Sequence, residues 1–299
     1  MGGESFRSNL LTKSSTRQPT NKFFVRLLCA FIPVSAWRKS LRRDFRLRAK
    51  HRKQRKKFNR IADWKIETVD GVNVANGVLK NGKVLRLGNL FGKDLTPMGV
   101  AGGVLSMGDY HFAAEGNSVV IDIGMNVGIA SLYFAMRDDV TRVYGYEPVP
   151  AVYEKALFNF SINNAYSGKI TPNNSGLGDA KKEMTVQFKE WHSGGASMVA
   201  GHRSGENVVI EVLDAAAEIG AIIRRHRGQR FVLKCDAEGA EKEIFARLDA
   251  AGILADIDII VMEYHFGYDR FIEPLLMRNR FALFKTEQNA GLIRAVKQR

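Results

Sequence analysis

Val119-Val120-Ile121-Asp122-Ile123-Gly124-Met125-Asn126-Val127-Gly128 passes from an apolar run through a carboxylate into a glycine-punctuated turn. The run is β-branched, with Gly116-Asn117-Ser118 before it and glycines after it, the composition of a strand buried on both faces. Beyond Gly128, the residues Ile129, Leu132, Tyr133 and Met136 recur at helical spacing, so the turn opens a helix. Gly124 and Gly128 allow a sharp turn and let a ligand approach where a Cβ would obstruct it. Strand, tight turn and helix in this order form the first unit of a nucleotide-type site.

The same alternation continues downstream. Arg142 to Tyr146 reads as a second strand ending in Glu147-Pro148, Ala151 to Asn163 as a second helix, and Lys169 to Thr171 as a third strand. A Gly176-Leu177-Gly178-Asp179 turn leads to strands at 184–188 and 208–213 and to a helix from Asp214 to Arg224. Arg230 to Asp236 is the fourth core strand, Ala240 to Leu248 its helix, and Asp258 to Glu263 the fifth strand. Phe281 to Lys285 and Leu292 to Val296 close the chain with no room for a helix between them. The pattern predicts an α/β fold with a doubly wound, mainly parallel sheet and a closing antiparallel hairpin.

Upstream, Trp64 to Leu87 carries Asp70-Gly71 and Asn81-Gly82, both hairpin signals. Gly99 to Gly116 reads as a connecting loop in which Asp109, Tyr110 and His111 are candidates for a substrate mouth. Three regions follow: a basic arm over 1–60, a small β-rich extension over 61–116, and the α/β domain over 117–299.

Charge separates the arm from the rest. Of a formal +14 over 299 residues, positions 1 to 60 contribute +16 (18 Lys/Arg against Glu4 and Asp44) and positions 61 to 299 contribute −2. A near-neutral body argues against nucleic acid as partner. Phe23 to Trp37 is apolar but interrupted by Arg26 and Pro33, too short to span a membrane, and the next segment to Arg60 holds thirteen basic residues. Residues 23–60 therefore suit an anionic membrane surface, each Lys or Arg adding about 1 kcal/mol, with a solvated basic helix as the plainer alternative. With only Cys29 and Cys235, no disulfide framework is written in the chain, and a cytoplasmic setting, peripheral to the inner membrane face, is expected.

A dinucleotide site would show Gly-x-Gly-x-x-Gly at the first turn, whereas this turn reads Asp122-x-Gly124-x-Asn126-x-Gly128. A carboxylate there repels a pyrophosphate but suits the cationic aminopropyl end of S-adenosylmethionine. Glu147, closing the second strand, can accept both ribose hydroxyls, a spacing that fits NAD equally. Asp179 can accept from an adenine amino group. Singly, each acid is an ordinary cap or turn former; three at successive strand ends make a set.

The segments Asp122 to Gly128, Glu147-Pro148, Gly178-Asp179 and Lys234-Cys235-Asp236-Ala237-Glu238-Gly239-Ala240-Glu241 together resemble the FkbM-type S-adenosylmethionine-dependent methyltransferases, over roughly residues 117 to 265. The resemblance implies a Rossmann-like class I methyltransferase sheet of seven strands, the last antiparallel, and an O-methylation reaction. It implies Asp122, Gly124, Asn126, Gly128, Glu147 and Asp179 as cofactor contacts. Phe23 to Arg42, with its Cys29-Ala30-Phe31-Ile32-Pro33 core, also resembles an opening segment of bacterial proteins that build surface glycans, which points to a carbohydrate hydroxyl as acceptor.

Transfer from a sulfonium to oxygen is an in-line displacement that needs the acceptor held close and its proton removed. Asp236 or His265 is the expected base, with Glu238 and Glu241 orienting the acceptor. Acids in a first helical turn also complement the helix dipole, and for Glu241 that reading is equally good. Trp191 to Ser197 is a small-residue loop able to close over the acceptor. No His, Cys and acid cluster has metal-ligand spacing along the chain, so no metal is expected. An NAD-dependent oxidoreductase and an RNA methyltransferase using the basic arm are the alternatives.

Overall fold

The computed structural model describes residues 52, 55–88, 96–113, 116–188, 206–286 and 291–298; the candidate closing loop and the arm up to residue 51 lie outside them. By contacts the chain forms two units, Met1–Arg52 and Lys53–Arg299, and every element below belongs to the second.

Three antiparallel strands open it: β1 (Lys65–Val69), β2 (Val72–Val78) and β3 (Val84–Gly88). Asp70 and Gly71 both take positive φ, 49° and 76°, as a two-residue primed turn demands. At Asn81-Gly82 only Gly82 is left-handed, and Leu79 and Lys83 close a longer loop. Helix α1 (Thr96–Gly102) ends inside the segment read as a connecting loop, and a π-turn over Gly103–Met107 follows it there.

The α/β part then runs β4 (Ser118–Ile123), α2 (Ile129–Ala135), β5 (Val140–Tyr146), α3 (Pro150–Ser161), α4 (Asn164–Ser167), β6 (Ile170–Asn173), β7 (Gly176–Gly178), β8 (Lys182–Phe188) and β9 (Glu206–Asp214). It continues with α5 (Ala215–Arg225), β10 (Arg230–Cys235), α6 (Glu241–Ala250), β11 (Ile259–Tyr264), α7 (Asp269–Arg278), β12 (Phe281–Lys285) and β13 (Gly291–Lys297). Seven strands form one sheet in the order β12-β13-β11-β10-β4-β5-β6. The strands from β11 to β6 are parallel, and β13 is antiparallel to both its neighbours, as the closing hairpin requires.

β4 is buried along its whole length, and its side chains serve the two faces in turn. Val120 joins Leu132, Phe134, Phe160 and Leu87 in one core, which the N-terminal strands share; Val119, Ile121 and Ile123 join Ile219, Ile244, Phe245 and Leu276 in the other. Each such Val or Ile gains about 1.5–3 kcal/mol from burial, which fixes this strand at the centre. From β4 the chain builds outward to β5 and β6, then crosses to β10 and β11 on the other side. The strand order therefore reverses between β4 and β10, and a crevice opens at their carboxyl ends.

Two further elements differ from the sequence reading. Gly176-Leu177-Gly178 is strand β7 rather than a turn; it pairs parallel with β9, and with β8 they form a separate three-stranded sheet. A Cβ at Gly178 would stand 2.8 Å from Val212 Cγ1, so the glycine serves close strand packing. Helix α7 was hidden by Pro274, which lies inside it, while Ile272, Leu275 and Leu276 supply the buried stripe that holds the helix to the sheet.

Candidate active site

The site is built on a buried ion pair. Asp122 and Lys234 are register partners on β4 and β10, 0% and 2% exposed, with Lys234 Nζ 3.0 Å from Asp122 Oδ1. Ser131 Oγ donates to Asp122 Oδ2 (2.6 Å), and Lys234 Nζ donates to the carbonyls of Ile123 (3.1 Å) and Gly124 (2.6 Å). Burial alone would depress the lysine; the charges of Asp122 and Asp236 outweigh it and hold Lys234 above its usual range. This pair sits beneath the first turn and fixes its carbonyls.

Above it, Gly124 (φ 73°) is forced by the neighbouring chain: a Cβ there would lie 1.9 Å from the Asp236 carbonyl oxygen. Gly128 (φ 81°) faces the Phe160 ring, which a Cβ would meet at 2.5 Å. Both glycines thus serve close chain-on-chain packing, and Gly124 also lines the crevice described below. Asn126 is left-handed (φ 52°), its Oδ1 accepting from Val127 N–H at 2.7 Å. Its own N–H donates to Glu147 Oε2 (3.1 Å), and Val149 N–H donates to Glu147 Oε1 (3.0 Å). Burial pushes the Glu147 carboxyl up to about 7, against the two backbone donors and Lys234, which lower it.

A crevice is lined by Gly124, Asn126, Glu147, Asp236 and Glu238, with Leu177, Val186 and Ile210 supplied by the small three-stranded sheet.

The turn after β10 forms the rim. Asp236 N–H donates to Ile123 carbonyl (3.0 Å), Tyr110 O–H donates to Asp236 Oδ2 (3.2 Å), and Glu238 and Gly239 are left-handed (φ 48° and 114°). Glu241, wholly buried, ties this turn down by accepting from Ala237 N–H (3.2 Å) and Gly239 N–H (3.0 Å). It also lies 2.9 Å from His265 Nδ1, which follows β11. Burial works against a charged imidazole here, yet the Glu241 hydrogen bond and the charges of Glu241, Glu238 and Asp236 outweigh it and raise His265 to about 9. Nε2 lies 3.9 Å from both Glu238 Oε2 and Glu263 Oε1. Burial, then repulsion from Asp236, lift the Glu263 carboxyl to about 7.

These positions revise several sequence expectations. Gly124, Asn126, Glu147, Asp236 and Glu238 share the crevice; Asp122, Gly128, Asp179, Glu241 and His265 do not line it. Asp122 is spent on Lys234 and Ser131. Asp179 is exposed and paired with Lys182 at 2.7 Å, because β7 carries the Gly-Leu-Gly segment past the crevice before the chain turns outward. His265 holds Nδ1 against Glu241, which favours its charged form, and Glu241 is engaged by the turn and by His265. Of the mouth candidates only Tyr110 reaches the site; burial and the Asp236 charge hold its phenol protonated. Lys234, in plain view beside Cys235-Asp236, carried the one sequence signal for the ion pair: a lysine inside an apolar strand.

The FkbM methyltransferase domain matches residues 122–287, more than half of the chain, and the chain belongs to that family. The AMB antimetabolite synthetase AmbE of Pseudomonas aeruginosa is 26% identical over 182 residues, covering 50% of this chain and 8% of that protein. Methyltransferase sdnD of Sordaria araneosa is 23% identical over 159 residues, covering 44% of this chain and 61% of its own length. The chain thus spans less than two thirds of either relative. The methyltransferase FkbM structure from Methylobacillus flagellatus KT superposes with a TM-score of 0.42 at 15% identity, covering 62% of this chain and 44% of that one.

Proposed function

We propose that the crevice binds S-adenosylmethionine and that the protein transfers its methyl group to a hydroxyl oxygen. The observation that carries this is Glu147: a buried carboxylate at the end of β5, held by two backbone donors and presented to a crevice at the strand switch point. Such a carboxylate accepts from paired ribose hydroxyls, and Leu177, Val186 and Ile210 supply apolar walls for a planar base. S-adenosylmethionine, when bound, supplies an electrophilic methyl on a sulfonium. The chain's own part is to hold the acceptor in line and take its proton. Asp236 stands on the crevice wall, where its carboxylate can take the acceptor's proton.

The acceptor class proposed is a sugar hydroxyl of a surface glycan or its precursor, met at the cytoplasmic membrane face through residues 23–60, on the strength of that segment's charge. Among the described residues no helix is long and apolar enough to cross a membrane. Calorimetric titration of the full chain with S-adenosylmethionine and, separately, with NAD tests the reading. Binding of the first alone, weakened about tenfold or more by Glu147→Ala, is expected. Binding of NAD, or of neither, overturns it.

A further inference from the structure

We propose that Asp236, Glu238 and His265 bind a divalent transition-metal cation at the rim of the crevice. One donor atom from each of the three lies within 4.8 Å of the others, the spread that ligands of one ion can span. They arrive from two places in the fold: Asp236 and Glu238 from the turn after β10, His265 from the chain leaving β11. Nothing in the linear spacing shows this, because His265 stands 27 positions beyond Glu238.

The arrangement differs from a chance gathering of acids in the way the histidine is held. Glu241, wholly buried, takes Nδ1 at 2.9 Å and leaves Nε2 turned toward Glu238 and Glu263, both at 3.9 Å. A carboxylate behind an imidazole, fixing the tautomer and aiming the other nitrogen, is the second shell that metal-ligating histidines carry. Ligation replaces the proton that Nε2 otherwise holds. Among the described residues no Lys or Arg nitrogen pairs with the Asp236 or Glu263 carboxylate at salt-bridge distance; His265 and, through its charge, Lys234 act on them. One imidazole with carboxylate oxygens suits Mn²⁺, Fe²⁺ or Zn²⁺ better than Mg²⁺ or Ca²⁺, which favour all-oxygen shells.

Because Asp236 and Glu238 also line the crevice, the cation faces the place where an acceptor must sit. Its use rests on the methyl-transfer reading above; its binding does not. A hydroxyl on the cation loses its proton more readily, to Glu263 for example. The oxygen then bonds the methyl carbon while the carbon–sulfur bond breaks and its electron pair stays on sulfur.

Mn²⁺ is the probe. Full-length protein stripped with chelator is titrated with MnCl₂ and free ion is followed by its electron paramagnetic resonance signal. One ion per chain is expected, with binding weakened about tenfold or more in His265→Ala and Glu238→Gln and unchanged in Asp179→Asn. If His265→Ala melts in the absence of metal, Glu238→Gln, at a partly exposed turn position, decides alone. No stoichiometric site, or equal affinity in the variants, overturns the inference. S-adenosylmethionine titrations on the same samples separate the two failures: cofactor binding with no Mn²⁺ site sinks this inference only, whereas loss of cofactor binding sinks the reading it serves.

Discussion

At the scale of single residues, two titrations carry most of the chemistry. Glu147 sits near 7 because burial outweighs its two backbone donors. A ligand whose hydroxyls donate to that carboxylate favours the ionised form, so binding releases a proton below this pH. S-adenosylmethionine affinity is expected to fall by up to about tenfold per pH unit below 7, and the dependence to vanish in Glu147→Gln; calorimetry in buffers of different ionisation enthalpy reads both. His265 sits near 9, raised above its unfolded value near 6.5. The stability it contributes is full below about 6.5 and is lost as pH rises through 9. In metal-free protein, the His265 imidazole resonance should titrate near 9, and Glu241→Gln should bring the midpoint down toward the free value. A midpoint near 6.5 in the unaltered protein contradicts the assigned Glu241 contact.

Elements are where the buried ion pair and the first turn exert their effect. Lys234→Met leaves Asp122 charged inside the sheet with no countercharge and only the Ser131 hydroxyl as its side-chain partner, a loss of about 3–5 kcal/mol, seen as a lower urea midpoint. Asp122→Asn with Lys234→Met should recover much of it, since a neutral pair carries no stranded charge. Gly124→Ala meets the Asp236 carbonyl and a left-handed φ at once, so a thermal midpoint lower by several degrees is expected. Sequence patterning was strongest at this scale. The β-branched runs, the Asp70-Gly71 turn and the closing hairpin could be read because each rests on local periodicity or local turn chemistry. β7 could not, since three residues bounded by glycines carry no period, and α7 was masked by Pro274. The site was legible where the turn itself makes it, at Gly124, Asn126 and Glu147. It was illegible where a long-range contact decides: Tyr110 reaching Asp236, Asp179 turning away to Lys182, and Glu241 meeting His265 across two loops.

The whole molecule combines a family whose domain matches residues 122–287 with segments the match does not cover. The N-terminal strands share a core with β4 and α2, and the π-turn after α1 delivers Tyr110 to the rim. Tyr110→Phe should therefore leave S-adenosylmethionine affinity within about twofold while slowing methyl transfer to any acceptor found, because it frees Asp236 without touching Glu147. The charge asymmetry belongs to this scale too. Full-length protein should float with vesicles of phosphatidylglycerol and not of phosphatidylcholine, and release as salt rises; equal flotation with both removes the electrostatic part of the membrane proposal. The central claim is that Glu147 and the crevice beside it hold S-adenosylmethionine. A crystal structure of the full chain with S-adenosylhomocysteine tests it most directly: the ribose hydroxyls should lie within hydrogen-bond distance of Glu147 and the adenine against Leu177 and Ile210. A nucleoside bound elsewhere, with Glu147 still holding only Asn126 and Val149, would contradict the account.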